Sequence, residues 1–143
     1  MAIKQLSVFV QNHQGSLVEI ANLLAHNNID MRALSLADTQ DFGILRVIVN
    51  DTKKAEEVLG SRGFLVKTTD VIAVKISDAP GKLAAALHAL NVAGVNVEYL
   101  YAFLARTQRH AYVVLRVQDN DFATKALEDA GFHTVSEEDI KKL

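Results

Sequence analysis

The stretch VFVQNHQGSL, residues 8–17, returns 66 residues later as VKISDAPGKL, residues 74–83. In both versions an alternating apolar strand leads into a polar break with a glycine, Gly15 or Gly81, and then into an apolar helix face. Further along the matching shift becomes 68, as from Asp51 to Asp119, so the second copy carries a two-residue insertion. The chain therefore contains two copies of one structural unit. Two copies are too few for a solenoid, which needs roughly three or more.

Each copy reads as strand, helix, strand, strand, helix, strand. Hydrophobic periodicity and turn residues set the limits of these elements. Asp51 is expected to cap the second helix, and Gly60 and Gly63 to end it. The order recurs from residue 71 to about residue 135, and the tail SEEDIKKL predicts a short helix with a serine cap. In copy one the predicted strands are 3–10, 29–37, 43–49 and one starting at 64–66; the predicted helices are 17–27 and 51–59, and residues 39–41 form a turn.

This order predicts an α+β fold made of two ferredoxin-like βαββαβ domains, residues 1–70 and 71–143. Right-handed crossovers give each antiparallel sheet the strand order 4-1-3-2, with both helices on one face. The join VKTTDVIAV, residues 66–74, has no Pro/Gly/Ser linker, so the copies are expected to pack rigidly. A sheet with helices on one face leaves its other face and its edges to be buried, which predicts a homodimer or larger assembly.

Composition limits the classes of partner. Fifteen basic and seventeen acidic residues give a net charge of -2, which argues against a nucleic-acid partner. The absence of cysteine excludes thiolate metal sites and fits a reducing compartment. The five histidines lack metal-ligand spacing, so neither a metal nor a cofactor is expected. No apolar stretch approaches the roughly 18 residues of a membrane span, and the start does not resemble a signal peptide. A cytoplasmic protein without a membrane partner is expected.

Two further segments complete a recognisable pattern. Each second strand starts with an aliphatic residue, Asn or Asp, and another apolar residue: NIDMRALSL at 28–36 and GVNVEYLYA at 94–102. Together with the glycine loops, this pattern resembles the ACT domain, an amino-acid-binding regulatory module of many enzymes of amino-acid metabolism. The resemblance covers nearly the whole chain, twice. Gln14 departs from it, because proline is common directly before the loop glycine and its absence leaves the loop less rigid.

The resemblance implies a free amino acid as ligand and a regulated enzyme of amino-acid metabolism as partner. In ACT pairs joined through their second strands, the start of one strand lies beside the other copy's glycine loop. Asn96 would then lie near Gly15, and Asp30 near Gly81. The implied ligand-binding residues are Asn12, His13, Gln14, Gly15, Ser16 and Leu17 of the first loop, Asp78, Ala79, Pro80, Gly81, Lys82 and Leu83 of the second, and Asp30, Met31, Asn96 and Val97 at the strand starts.

Elementary chemistry supports these positions and also offers simpler explanations. A glycine before a helix lets a carboxylate approach free N–H groups. Asn12 and Asp78 can bond a ligand ammonium, or each can simply cap its own helix. The glycines can serve only a tight turn, Asp30 and Asn96 can be turn residues, and His13 can be a solvated loop histidine. Met31, Val97 and Leu34 fit an ordinary core.

Three other functions compete with amino-acid binding. A hydrolase of the acylphosphatase type needs an arginine in the loop after the first strand, and neither loop has one. An RNA-recognition module needs stacking aromatics on its central strands, where only Tyr112 is available. A structural or oligomerising regulatory subunit without a ligand remains an open alternative. A non-catalytic, amino-acid-binding regulatory protein is the favoured prediction.

Overall fold

The computed structural model describes residues 2–38, 41–103 and 109–142. Its contacts divide the chain into two compact units. The amino-terminal unit comprises Lys4–Thr69. The carboxy-terminal unit comprises the described residues from Asp70 onward together with Ala2 and Ile3. Among the described helices, none has the length and apolar character needed to cross a lipid bilayer.

The amino-terminal unit has the predicted βαββαβ order. Its sheet follows β2-β3-β1-β4, so the predicted order 4-1-3-2 is confirmed. The strands β1 and β3 are antiparallel, with Val10 opposite Gly43. Because β3 is the one described strand that pairs with β2, β2 lies at the edge of the sheet. The elements are β1 (Ile3–Gln11), α1 (Ser16–His26), β2 (Met31–Asp38), β3 (Phe42–Val49), α2 (Thr52–Ser61) and the first residues of β4 (Val66–Ser77).

The carboxy-terminal unit repeats this order. Its strands follow β7-β4-β6-β5, which is again 4-1-3-2 when numbered within the copy. The strand β5 pairs with β6 and forms the edge that corresponds to β2. The strand β4 continues without a break from one unit into the other. The remaining elements are α3 (Lys82–Val92), β5 (Tyr99–Ala102), β6 (His110–Arg116), α4 (Asn120–Asp129), β7 (His133–Thr134) and α5 (Glu137–Lys141).

Each unit has its own hydrophobic core between its sheet and its helices. In the first core, Leu6, Val8 and Val10 of β1 meet Ile20 and Leu24 of α1. The predicted inward face of the first strand and the predicted helix face are thus confirmed. The second core uses the equivalent positions of the second copy, Ile72, Val74, Ile76, Ala86 and Leu90. The same residue spacing therefore builds the same packing twice.

Some predicted boundaries differ from the structure. Helix α2 does not end before Gly60 but continues through it to Ser61. Gly63, with φ of +84°, is the residue in the left-handed conformation that follows the helix. A glycine within a helix weakens it without ending it. Residues 39 and 40 of the predicted turn lie outside the described residues. Leu34, predicted to be core, is 40% exposed on the edge strand β2.

Candidate functional site

The glycine loop of the first copy, residues 12–16, joins β1 to α1. Gly15 occupies the N-cap position of α1 with φ of +90°, a left-handed conformation that favours glycine. The Ser16 N–H donates to the His13 carbonyl at 3.3 Å, and the Glu19 N–H donates to the Gly15 carbonyl at 3.1 Å. A Cβ at Gly15 would have no neighbour within 4 Å among the described atoms. The glycine is thus required by the backbone angle, and the space beside it is open.

The loop of the second copy, residues 78–82, has the same backbone. Gly81 occupies the N-cap of α3 with φ of +86°, and the Lys82 N–H donates to the Ala79 carbonyl at 3.3 Å. The Ala85 N–H donates to the Gly81 carbonyl at 3.0 Å. Pro80 in this loop stands where the first copy has Gln14, yet the two loops agree. The proline is therefore not needed to set the shape of the loop.

Both helices keep open donors at their first turns. In the described part of the chain, the backbone N–H groups of Leu17 and Val18 have no hydrogen-bond acceptor, nor do their counterparts Leu83 and Ala84. No side chain caps either helix. The interpretation of Asn12 and Asp78 as helix caps is therefore wrong. The side chains of both residues are exposed and make no hydrogen bond to another described residue.

Open N–H groups at a helix start favour an anion. The first-turn donors and the helix dipole together give each loop a partial positive charge. A carboxylate of a small ligand fits this environment, and an exposed amide or carboxylate side chain one turn earlier can accept from a ligand ammonium group. The two loops therefore offer complementary chemistry to the two charged groups of a free amino acid.

The His13 ring is held within its own loop. Its Nδ1 lies 3.0 Å from the Gln14 carbonyl oxygen. Its Nε2 lies 3.1 Å from the Gln11 side-chain oxygen, and the Ser16 hydroxyl lies 2.9 Å from Nδ1. Ser16 is buried beneath the ring. These contacts fix the loop conformation, and sequence reasoning missed them because it assigned His13 and Ser16 to a ligand and gave Gln11 no role.

Asp30 before β2 and Asn96 before β5 differ in their hydrogen bonds and ion pairs. The Asp30 carboxylate lies 3.3 Å from the Arg32 guanidinium. The Asp30 N–H also donates to the Asn50 side-chain oxygen at 3.0 Å, and the Asn50 N–H returns a bond to the Asp30 carbonyl at 3.1 Å. The exposed side chain of Asn96 has no hydrogen-bond partner among the described residues. Asn96 is thus available to a ligand, whereas Asp30 is already engaged.

The apolar neighbours of these residues belong to the cores. Met31 is partly buried against the first core, and Val97 against the second. Asn96 itself borders a cavity of about 540 Å³ in the carboxy-terminal unit, whose other walls include Glu98 and Arg116. These two side chains lie 3.6 Å apart. No group of three or more His, Asp or Glu side chains in the described residues is placed to hold a metal ion.

A small cavity opens beside the first glycine loop. Its volume is about 70 Å³, and it lies between α1, the loop and the strands β2 and β3. The side chains of Leu17 and Leu36 on its wall are 45% and 46% exposed. The lining residues are Val10, Gln11, Asn12, His13, Ser16, Leu17, Leu36 and Gly43.

The family model for the ACT domain pair matches residues 1–143. The chain belongs to the ACT domain pair family. This family membership confirms the resemblance of the loop and strand-start motifs, and ACT pairs are regulatory modules. Among curated proteins, the comparison found no match.

Solved structures resemble this ACT pair over nearly its full length. Protein BT0572 from Bacteroides thetaiotaomicron is 38% identical, with a TM-score of 0.92 over 100% of this chain and 98% of that one. The ligand-free regulatory subunit of aspartate kinase from Thermus thermophilus is 17% identical, with a TM-score of 0.67 over 90% of this chain and 92% of that one. The regulatory subunit from Thermus flavus is also 17% identical, with a TM-score of 0.63 over 89% and 91%. At 17% identity, the two regulatory subunits support the fold alone.

Proposed function

We propose that this ACT pair binds a free amino acid at a glycine loop and transmits the occupancy of that site to an enzyme of amino-acid metabolism. The observation that carries the proposal is the duplicated loop, in which Gly15 and Gly81 precede helices with open first-turn N–H groups. A structural turn alone would not need donors left open at both helices, because a Ser, Thr, Asn or Asp at the N-cap would bond one of them.

The proposed site is completed by the start of a second strand from another copy of the chain. Since β2 and β5 are edge strands of their units, each can pair with an edge strand of a second molecule. Such pairing would bring Asn96 of one chain beside the Gly15 loop of the other. This combination is favoured over Asp30 with the Gly81 loop because the Asp30 carboxylate is already paired with Arg32.

A screen of the twenty amino acids by thermal shift and calorimetry tests the proposal. A ligand that binds only the folded chain raises its melting temperature by mass action. We expect a dissociation constant between micromolar and millimolar, about -8 to -4 kcal/mol, as a sensor of metabolite pools requires. Flat calorimetry for all twenty at millimolar concentration would refute the proposal. D-amino acids serve as controls, because they carry the same charges in the wrong geometry.

A second candidate function is an oligomerising subunit that needs no ligand. The edge strands favour it, because Leu34 of β2 and its repeat equivalent Leu100 of β5 are each 40% exposed. Apolar side chains on two open edges are suited to assembly. Assembly that is complete without any amino acid, together with a flat binding screen, would select this function. Neither candidate involves catalysis.

A further inference from the structure

The small cavity beside the first loop has an uneven lining. Its apolar lining comes from Val10, Leu17, Leu36 and Gly43, and its polar lining from Gln11, Asn12, His13 and Ser16. No charged side chain lines it among the described residues. A lysine, arginine, aspartate or glutamate side chain placed there would lose water without gaining a counter-charge, which is costly. The cavity therefore suits an uncharged, apolar group.

The cavity adjoins the groups that would hold the charged end of an amino acid. Leu17 contributes its side chain to the wall, and its own backbone N–H has no acceptor among the described residues. Asn12 also lines the cavity, and its exposed side chain makes no hydrogen bond to another described residue. A ligand whose carboxylate meets these N–H groups can thus place its side chain against Leu36 without leaving the site.

The size of the cavity depends on Gly43. A Cβ at this position would lie 3.1 Å from Cδ1 of Leu36, so a methyl group would fill part of the space. Roughly 10–15 Å³ of such space holds one water molecule. A volume of about 70 Å³ then accepts roughly five to seven atoms of that size, which is enough for the four carbons of a leucine side chain.

The second copy has different residues at the two deciding positions. By strand register, Val10 faces Gly43 in the first copy and Ile76 faces Ala111 in the second. Leu36, which pairs with Leu45, corresponds to Ala102, which pairs with Val113. The second copy thus has the methyl group of Ala111 in place of Gly43, and the small Ala102 in place of Leu36. The combination of Leu36 with the space beside Gly43 is therefore a feature of the first copy.

From these observations we propose that the ligand of the amino-terminal unit is an amino acid with an aliphatic side chain, from valine to leucine in size, seated against Leu17, Leu36 and Gly43. The inference rests on the proposed function, since it specifies the ligand of the same site. It adds selection by an apolar pocket, which discriminates a missing or extra methylene by roughly 10- to 200-fold.

Calorimetry on the full chain tests the inference with leucine, isoleucine, valine, alanine, phenylalanine and lysine. We expect the three branched amino acids to bind at least about tenfold more tightly than alanine or lysine. Gly43→Ala should weaken leucine relative to alanine by about tenfold, because the added methyl group occupies the cavity. Leu36→Ala should instead raise the affinity for phenylalanine relative to leucine, because it removes one wall.

Two controls separate a folding defect from a binding effect. Leu65→Ala alters an exposed residue of the same unit outside this cavity and should leave the selectivity unchanged. The double variant Gly43→Ala with Leu36→Ala carries the residue pair that the second copy already has, so it should fold even if Gly43→Ala alone does not. It should prefer no branched amino acid over alanine.

The outcomes are distinct for the two proposals. The proposed aliphatic pocket is supported if the wild type prefers branched amino acids and if each single substitution changes this preference. The proposed aliphatic pocket is refuted if lysine or another charged amino acid binds most tightly. It is also refuted if neither substitution alters a preference for branched amino acids. In both cases the proposed binding of an amino acid still stands. No binding of any of the twenty amino acids overturns both.

Discussion

At the scale of single residues, Gly15 and Gly81 replace the side-chain caps that helices usually have. A glycine at the N-cap offers no oxygen to the first turn, so the helix keeps its donors for another acceptor. Both residues have φ near +90°, which an L-amino acid adopts at a cost of roughly 1–2 kcal/mol. The loops thus combine an open anion site with a backbone that tolerates no other residue cheaply.

Gly15→Ala should lower the free energy of unfolding by about 1–2 kcal/mol, because its Cβ meets no neighbour and only the backbone angle is strained. Urea denaturation measures this change. Gly60→Ala is the matched control, since Gly60 lies within α2 and its Cβ also has open space. It should raise the free energy of unfolding by about 0.5–1 kcal/mol. A loss of stability in both variants would contradict the assigned angles.

Asn96→Ala should weaken amino-acid binding by about 1–3 kcal/mol, the cost of losing a bond to a charged ligand group. It should leave stability unchanged, because the side chain bonds no other described residue. Asp30→Ala is the comparison, and it should lower stability slightly because it removes one ion pair of Arg32. Calorimetry and thermal melts separate the two effects. Equal ligand affinity in wild type and a folded Asn96→Ala protein would remove Asn96 from the site.

The candidate site was only partly readable from the sequence. The polar residue three positions before a glycine located both loops, because this spacing is local. The engagement of Asp30 by Asn50 was not predictable, since that bond joins residues 20 positions apart. The cavity also depends on the register of the predicted hairpin, which brings Gly43 close to Leu36 and which the sequence pattern did not specify.

At the scale of elements, helix α5 is fixed by a reciprocal cap. The Asp139 N–H donates to the Ser136 hydroxyl at 3.2 Å, and the Ser136 N–H donates to the Asp139 carboxylate at 3.1 Å. The second bond holds the pKa of Asp139 below its ordinary value of 3.8, because it favours the ionised form. The serine and the acidic first turn made this short helix predictable from sequence.

This cap should make a pH-dependent contribution. Because the folded state has the lower pKa, the ionised Asp139 stabilises the chain above its unfolded pKa, and this stabilisation is lost as pH falls through the folded pKa. Asp139→Asn should therefore be less stable than wild type at neutral pH, and the gap should close in acid. An NMR titration of Asp139 should give a value below 3.8, and Ser136→Ala should return it only in part, because this variant loses the hydroxyl but keeps the backbone N–H that donates to the carboxylate. An unshifted titration in wild type would contradict the cap.

At the scale of the whole molecule, the edges of the sheets are more important for assembly than their faces. The predicted need to bury a bare face does not hold for the carboxy-terminal unit, because Tyr112 and Val114, which alternate with core residue Val113 on β6, are buried within the single chain. The edge strands β2 and β5 remain, with Leu34 and Leu100 exposed. Assembly is therefore expected through edges.

The chain should be a homodimer or larger in light scattering at micromolar concentration. Leu34→Lys combined with Leu100→Lys should shift it toward the monomer, because lysine on an edge strand opposes pairing. Leu65→Lys adds the same charge at an exposed residue outside β2 and β5, and should leave the assembly intact. A wild-type monomer at high micromolar concentration would refute edge pairing.

The fold itself was readable because the same pattern occurs twice in phase. Errors in one copy, such as the end of α2 at Gly60, did not affect the element order. The repeated pattern did not predict to which unit Ile3 belongs. Ile3 is fully buried, yet it belongs with the carboxy-terminal unit and not with the strand residues that follow it.

The position of Ile3 has a consequence for protein synthesis. A ribosome releases the chain from its amino terminus, so residues 4–69 can collapse around their own core first. Ile3 emerges before all of them but reaches its final neighbours only after the second copy has been made. At ~5–20 residues per second, the synthesis of residues 70–143 after the first unit takes roughly 4 to 15 seconds. During this interval Ile3 lacks those neighbours, and a chaperone can hold its apolar side chain.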